Sequence, residues 1–187
     1  RTLRQQCSKG KNVAAKAICR LLDLSRITQE AGAQEAFTSL AESRTGSQGD
    51  AGAVDDVQGG APDVAQRHRD VFGATVVDND TIHALACDVY APCALGAGLN
   101  DETIPAIQAT IIAGAANNQL AESRHGDELH KRGILYAPDY AINAGGLVNV
   151  AAEASGAYNA DASRAKVLTI YDTLFTIAER SAKTNVP

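Results

Sequence analysis

Three short segments of the chain combine small residues with amide side chains, a pattern suited to holding a flat, polar ligand. In the first, the apolar run Cys87-Asp88-Val89-Tyr90-Ala91 leads into Pro92-Cys93-Ala94-Leu95-Gly96. Small residues just past a strand end let backbone approach a ligand closely, and an ordinary connecting turn uses the same residue types. In the second, the paired amides Asn117 and Asn118 follow Ile111-Ile112. Each amide offers a carbonyl acceptor and two N–H donors, the mixture a carboxamide ligand requires. One asparagine could cap a helix instead, which leaves the other for a ligand. In the third, Asn143 precedes Ala144-Gly145-Gly146 at an expected helix start. Exposed N–H groups there suit an anionic or polar ligand, or form only a cap and a tight turn. Leu147 and Val150 lie three apart and share a helix face, either walling an apolar pocket or packing in the core.

The elements that must position these turns follow from apolar patterning. Residues 74–77, 87–91, 110–115 and 133–138 are short apolar runs bounded by Gly, Pro and Asn, the pattern of buried strands. Residues 101–107 and 118–132 are expected to be the helical connections between them. An Ala/Gly-rich helix is expected over 144–155 and a longer amphipathic one over 161–182, with Ala165, Leu168, Ile170, Tyr171, Leu174, Phe175 and Ala178 as its apolar stripe. Strands alternating with helices imply a doubly wound, mostly parallel α/β sheet, whose ligands bind beyond the carboxyl ends of the strands. Upstream the pattern weakens. A helix is expected over 12–24 and a weaker one over 28–42. Ala53-Val54-Asp55-Asp56-Val57 is a poor strand candidate because two acids interrupt it, and Pro62 opens an expected helix ending before Gly73. Residues 1–60 therefore form a divergent or poorly ordered segment, and 61–187 the principal domain.

Composition excludes several function classes. The net charge of −5 argues against nonspecific nucleic-acid or anionic-membrane binding. No apolar run reaches the length of a membrane span. Cys7, Cys19, Cys87 and Cys93 show no C-x-x-C spacing, which in an acidic α/β chain suggests reduced thiols and a cytoplasmic location. No metal site is expected: His125 and His130 are five apart on a helix with no H-E-x-x-H pattern, so a solvated helix face is the expectation. Cys93 lacks a histidine in a recognisable partner motif, so a packed thiol is expected rather than a nucleophile.

The stretches DVYAPCALGAGLNDETIP, AGAANNQLAESRHGD and GILYAPDYAINAGGLVNVAAE resemble the cofactor domain of the leucine, phenylalanine and valine dehydrogenases of the Glu/Leu/Phe/Val amino-acid dehydrogenase family. The likeness runs nearly ungapped from about residue 71 to the end. It implies a Rossmann-like domain and the reversible, NAD-dependent oxidative deamination of an L-amino acid to a 2-oxo acid and ammonia. By the same resemblance Ala91, Pro92, Cys93 and Ala94 line the cofactor site, Asn117 and Asn118 sit by the nicotinamide and the substrate, and Asn143 orients one or the other. Leu147 and Val150 fall where the family places side-chain-pocket residues. Both are apolar, which favours a branched aliphatic or aromatic substrate, and Leu147 stands where Val is usual, which tightens the pocket.

The resemblance weakens toward the N-terminus. Where the family carries a first strand and a G-x-G-x-x-[GA] turn, this chain reads Cys7-Ser8-Lys9-Gly10-Lys11-Asn12-Val13-Ala14. Lys9 and Lys11 occupy the first two glycine positions, and their Cβ atoms obstruct a turn that glycine makes easily. The first strand and glycine loop are therefore read as degraded or missing. Asp56, or equally Asp55, matches the acid that holds the cofactor ribose; both could also be plain loop acids. The family's catalytic lysines belong to an N-terminal domain and match no motif here, so no catalytic residue is assigned to this chain and the chain alone is expected to be inactive. The lack of an initiator Met fits a fragment, and a full-length form would be a homo-oligomer. The weak patterning of residues 1–60 also fits sequence from a shifted reading frame. The alternative to the enzyme reading is a non-catalytic remnant or interaction module that retains the fold.

Overall fold

The computed structural model describes residues 40–43, 52–55, 69–70, 75–93, 95–156 and 158–187. The helix expected over 12–24, the glycine-loop stretch, Asp56 and Ala94 lie outside them. Six strands form one sheet: β1 Leu40–Ser43, β2 Gly52–Asp55, β3 Thr75–Val77, β4 Cys87–Ala91, β5 Ile111–Ile112 and β6 Leu135–Tyr136. Their order across the sheet is β3-β2-β1-β4-β5-β6, the order of doubly wound dinucleotide-binding sheets. β4, β5 and β6 run parallel, as do β2 and β3. β1 runs antiparallel to both its neighbours, β2 and β4. The sheet is thus mostly parallel, with one reversed strand at its centre.

Two expectations about the upstream region need correction. Leu40–Ser43 is a strand, although the segment to residue 42 reads as weakly helical. Gly52–Asp55 is a strand despite its adjacent acids. Both gain ladder partners on each side, β1 between β2 and β4, β2 between β1 and β3. Pairing on both edges satisfies their backbone groups and overrides weak local preference.

The parallel half of the sheet is buried on both faces, which is why its strands read as continuous apolar runs. Val89 pairs with Ile111 and Tyr90 with Ile112, and the register continues to Leu135 and Tyr136. Alternation sends Tyr90 and Ile112 to one face, against Leu99, Ile104, Leu129 and Ile134. Val89 and Ile111 go to the other, with Ala113 and Ala137, beneath Ile142 and Leu174. Leu99, Ile104, Ile112 and Leu129 are essentially inaccessible to water; each such side chain contributes roughly 1.5–3 kcal/mol.

The connections are shorter than their patterns suggest. Residues 101–107 form a single 3-10 turn, Ile104–Ala106, rather than a helix. The Asn100 side chain accepts the Glu102 and Thr103 N–H groups at 2.9 and 3.0 Å, Pro105 offers no N–H, and the chain extends at Ile107 toward β5. The helix expected over 118–132 is confined to α1, Arg124–Lys131. Its first residues are diverted: Leu120 bridges Leu99 as a strand would. α1 closes with Gly133 in the left-handed region and Ile134 N–H on the Leu129 carbonyl at 3.0 Å, a Schellman stop.

Beyond β6 come α2 Asp139–Ile142, α3 Gly145–Ala154 and α4 Ala160–Thr184. The Asn159 Oδ1 accepts the Ala162 N–H at 2.9 Å and caps α4. Ala178 is buried, Leu174 and Phe175 half-buried, while Ala165 and Leu168 at the other end of the expected stripe are exposed. α4 therefore packs on the sheet through its C-terminal half. Among the described residues no helix is long and apolar enough to cross a membrane.

Candidate functional site

Because β4, β5 and β6 are parallel, their carboxyl ends share one edge of the sheet. The turn after each leaves from that edge: 92–98 from β4, 113–119 from β5 and 137–146 from β6. The carboxyl end of β2, at Asp55, lies on the same edge, and Asp56 follows it outside the described residues.

The first two turns are joined by backbone. Ala113 N–H donates to the Tyr90 carbonyl at 2.9 Å, Ala116 N–H to the Pro92 carbonyl at 3.0 Å, and Ala97 N–H to the Asn118 carbonyl at 2.7 Å. Ala115 N–H donates to the Cys93 Sγ at 3.3 Å, so Cys93 is a packed thiol. The approach requires glycine at two points: a Cβ on Gly114 would lie 2.1 Å from the Pro92 carbonyl oxygen, and one on Gly96 would lie 2.8 Å from the Asn117 carbonyl oxygen.

The third turn meets the second through side chains. Asn143 Nδ2 donates to the Asn117 Oδ1 at 2.6 Å and reaches the Ala115 carbonyl at 3.4 Å. This leaves the Asn117 amide N–H groups and the Asn143 Oδ1 without partners among the described residues, a donor and an acceptor on neighbouring side chains. Asn118 is exposed and left-handed, at φ 52°, a conformation asparagine tolerates better than most residues.

The structure thus brings together Cys93, Asn117, Asn118 and Asn143. Ala91 and Pro92, at the end of β4, are buried. Leu147 and Val150 lie on α3, 73% and 58% exposed; the packing alternative for them does not hold within the described residues.

Sequence reasoning missed Gln119 and Asp139. Gln119 is wholly buried. Its Nε2 donates to the Gly114 carbonyl at 2.7 Å and to the Ala116 carbonyl at 3.0 Å. Its backbone N–H donates to the Asp139 carboxylate at 3.3 Å, and the Asp139 carbonyl accepts the Asn143 N–H at 3.0 Å. Asp139 also lies near the Tyr136 phenol, whose pKa is pushed up to about 12, first by burial and then by the Asp139 charge. A third consecutive amide after Asn117-Asn118 was the available signal for Gln119. Nothing local distinguished Asp139 from a helix-start acid.

His125 departs from expectation: it is buried, not on a solvated face. Its Nδ1 accepts the Glu122 N–H at 3.0 Å and its Nε2 lies 3.2 Å from Asp101 Oδ1. Asp101, His125 and Glu128 are close enough to suggest a cation site. Yet both ring nitrogens are engaged, and Arg124 holds both Asp101 oxygens at 2.7 and 2.6 Å. The arrangement is a loop-to-helix ion-pair network. The Arg124 guanidinium, followed by the His125 ring, holds the Asp101 carboxyl down at about 2.

A sheet of this order, with polar turns gathered on its carboxyl edge, defines a Rossmann-like α/β domain. The model of the Glutamate/Leucine/Phenylalanine/Valine dehydrogenase family matches residues 46–180, well over half of the chain, and the chain belongs to that family. It is 54% identical to the leucine dehydrogenase of Bacillus subtilis over 122 residues, 65% of this chain and 33% of the relative. Identity to an L-tryptophan dehydrogenase of Nostoc punctiforme is also 54%, over 119 residues, 63% of this chain and 33% of the relative. The crystal structure of L-tryptophan dehydrogenase from Nostoc punctiforme superposes with a TM-score of 0.67 at 50% identity, covering 72% of this chain and 39% of that one. The chain spans about a third of the length of these curated relatives.

Proposed function

We propose that this chain is the NAD-binding part of an L-amino-acid dehydrogenase that interconverts a branched-chain or aromatic amino acid with its 2-oxo acid and ammonia. The supporting observation is the Asn117–Asn143 contact at 2.6 Å on the carboxyl edge of the sheet. One amide orients the other, and what remains is a donor from Asn117 and an acceptor from Asn143. A nicotinamide carboxamide presents the complementary acceptor and donor. Asn118, beside them, is available to the substrate. The bound nicotinamide would accept the hydrogen removed from the amino acid Cα. The chain's own residues would orient the ring and, through Leu147 and Val150, offer an apolar wall to the side chain.

Asp56, or Asp55 at the end of β2, would hold the ribose hydroxyls at the far side of the same edge. Ala91, Pro92, Cys93 and Ala94 are the other residues assigned to the cofactor. The substrate pocket of Asn118, Asn143, Leu147 and Val150 suits an apolar amino acid, and the full-length protein is proposed to be a cytoplasmic homo-oligomer.

Titration of the purified chain with NADH, read by nicotinamide fluorescence, is expected to saturate. The same chain given an L-amino acid and NAD is expected to show no turnover, because the family's catalytic lysines and acid–base aspartate match no motif in it. A chain shown folded by circular dichroism yet silent to millimolar NADH would favour the alternative of a non-catalytic remnant.

A further inference from the structure

Gln119, at the end of the second turn, is bonded to that turn, to the third turn and to Leu99 just past the first. Its side-chain N–H groups bind the Gly114 and Ala116 carbonyls on either side of Ala115, whose own carbonyl is reached by Asn143. Its backbone N–H goes to the Asp139 carboxylate, and its carbonyl accepts the Leu99 N–H at 2.9 Å. The two carbonyl acceptors determine which way the amide faces, since a flipped amide would set oxygen against oxygen. In that orientation the buried Oε1 has no hydrogen-bond partner. A buried polar atom left without a partner is costly, and a leucine or methionine of similar size would avoid the cost. What an apolar side chain could not do is hold the Gly114 and Ala116 carbonyls together and so set the path of the backbone into Asn117.

We propose that Gln119 is a positioning residue for the nicotinamide end of the cofactor. It sets Asn117 and Asn118 relative to Asn143, with Asp139 completing the frame by accepting from the Gln119 N–H and from the Asn143 N–H. It touches neither cofactor nor substrate. The proposal rests on the reading that the amides receive the nicotinamide.

The test compares NADH with ADP-ribose, which lacks the nicotinamide, on the parent chain and on Gln119→Met. Affinity for NADH is expected to fall about tenfold, as for the loss of one well-placed hydrogen bond, while affinity for ADP-ribose stays within about twofold. An equal loss for both ligands, or no loss for either, overturns the proposal. Should Gln119→Met fail to fold, Asp139→Ala removes the carboxylate that accepts the Gln119 N–H while keeping the backbone carbonyl that accepts the Asn143 N–H, and is read by the same comparison. If the parent itself binds no NADH, the functional reading fails on its own account. Gln119 is then judged without ligand, from the NMR signals of the Asn117 and Asn143 side-chain amides. A shift of both in Gln119→Met sustains its positioning of the amide pair; unchanged signals overturn it.

Discussion

At the scale of single residues, the site depends on how closely backbone can approach backbone. Gly114 lies against Pro92 with no room for a methyl group, whereas a Cβ on Gly146 would meet nothing within 4 Å. Gly114→Ala forces the ends of β4 and β5 apart and is expected to cost about 3 kcal/mol. Gly146→Ala, in the first turn of α3, is expected to be neutral or to stabilise by up to about 1 kcal/mol through better helix propensity. Urea midpoints of the two variants separate them; similar midpoints would mean that β4 and β5 are not packed this closely. The two glycines look alike in sequence, and only the register of β4 and β5 distinguishes them.

At the scale of elements, α1 is held at both ends by interactions that can be removed singly. Gly133, at φ 72° with open space around it, ends the helix in a conformation that costs L-residues about 1 kcal/mol. Gly133→Ala should lower stability by that amount with no change in NADH affinity, a pairing that a combined melt and titration would check. At the other end, Asp101, in the connection between β4 and β5, is joined to Arg124 and His125. Its carboxyl is depressed in the folded state to about 2 from an ordinary value near 3.8. A depressed carboxyl contributes stability that is present above its unfolded pKa and is lost as pH falls through the folded one. The parent should therefore melt above Asp101→Asn at neutral pH, and the gap should close as the pH is lowered from about 4 to about 2. A gap independent of pH would show that the carboxylate charge is not what joins the two elements. The exposure of both side chains keeps the effect small.

For the molecule as a whole, the apolar residues divide into those the sheet uses and those it leaves in water. Ile112 and Leu129 are covered on every side, while Leu147 is 73% exposed. Leu147→Ala is accordingly expected to change stability by less than about 0.5 kcal/mol and to leave NADH affinity unchanged. A loss of several kcal/mol in a urea titration would place Leu147 in a core that the described residues do not show. Its exposure accords with the proposed wall for a substrate side chain.

Much of this was legible from residue order. Continuous apolar runs announced β4 and its parallel neighbours, because strands buried on both faces need no polar alternation. The amide-bearing turns were legible because glycine and asparagine tolerate backbone conformations that most residues avoid and so gather where the chain turns, and strand–helix alternation places those turns on one edge. What residue order could not supply was anything that depends on partners distant in the chain. β1 and β2 became strands because ladder partners on both sides satisfy backbone groups that their own side chains do not favour pairing. His125 was drawn from an expected surface into the interior because Asp101 and the Glu122 N–H receive its ring. Gln119 acquired its place only when Gly114, Ala116 and Asp139 gathered around it. Hydrophobic periodicity and turn chemistry are local and survive in a linear string; strand direction, burial of a polar group and the meeting of three turns are set by long-range contacts, which exist only once the sheet has formed.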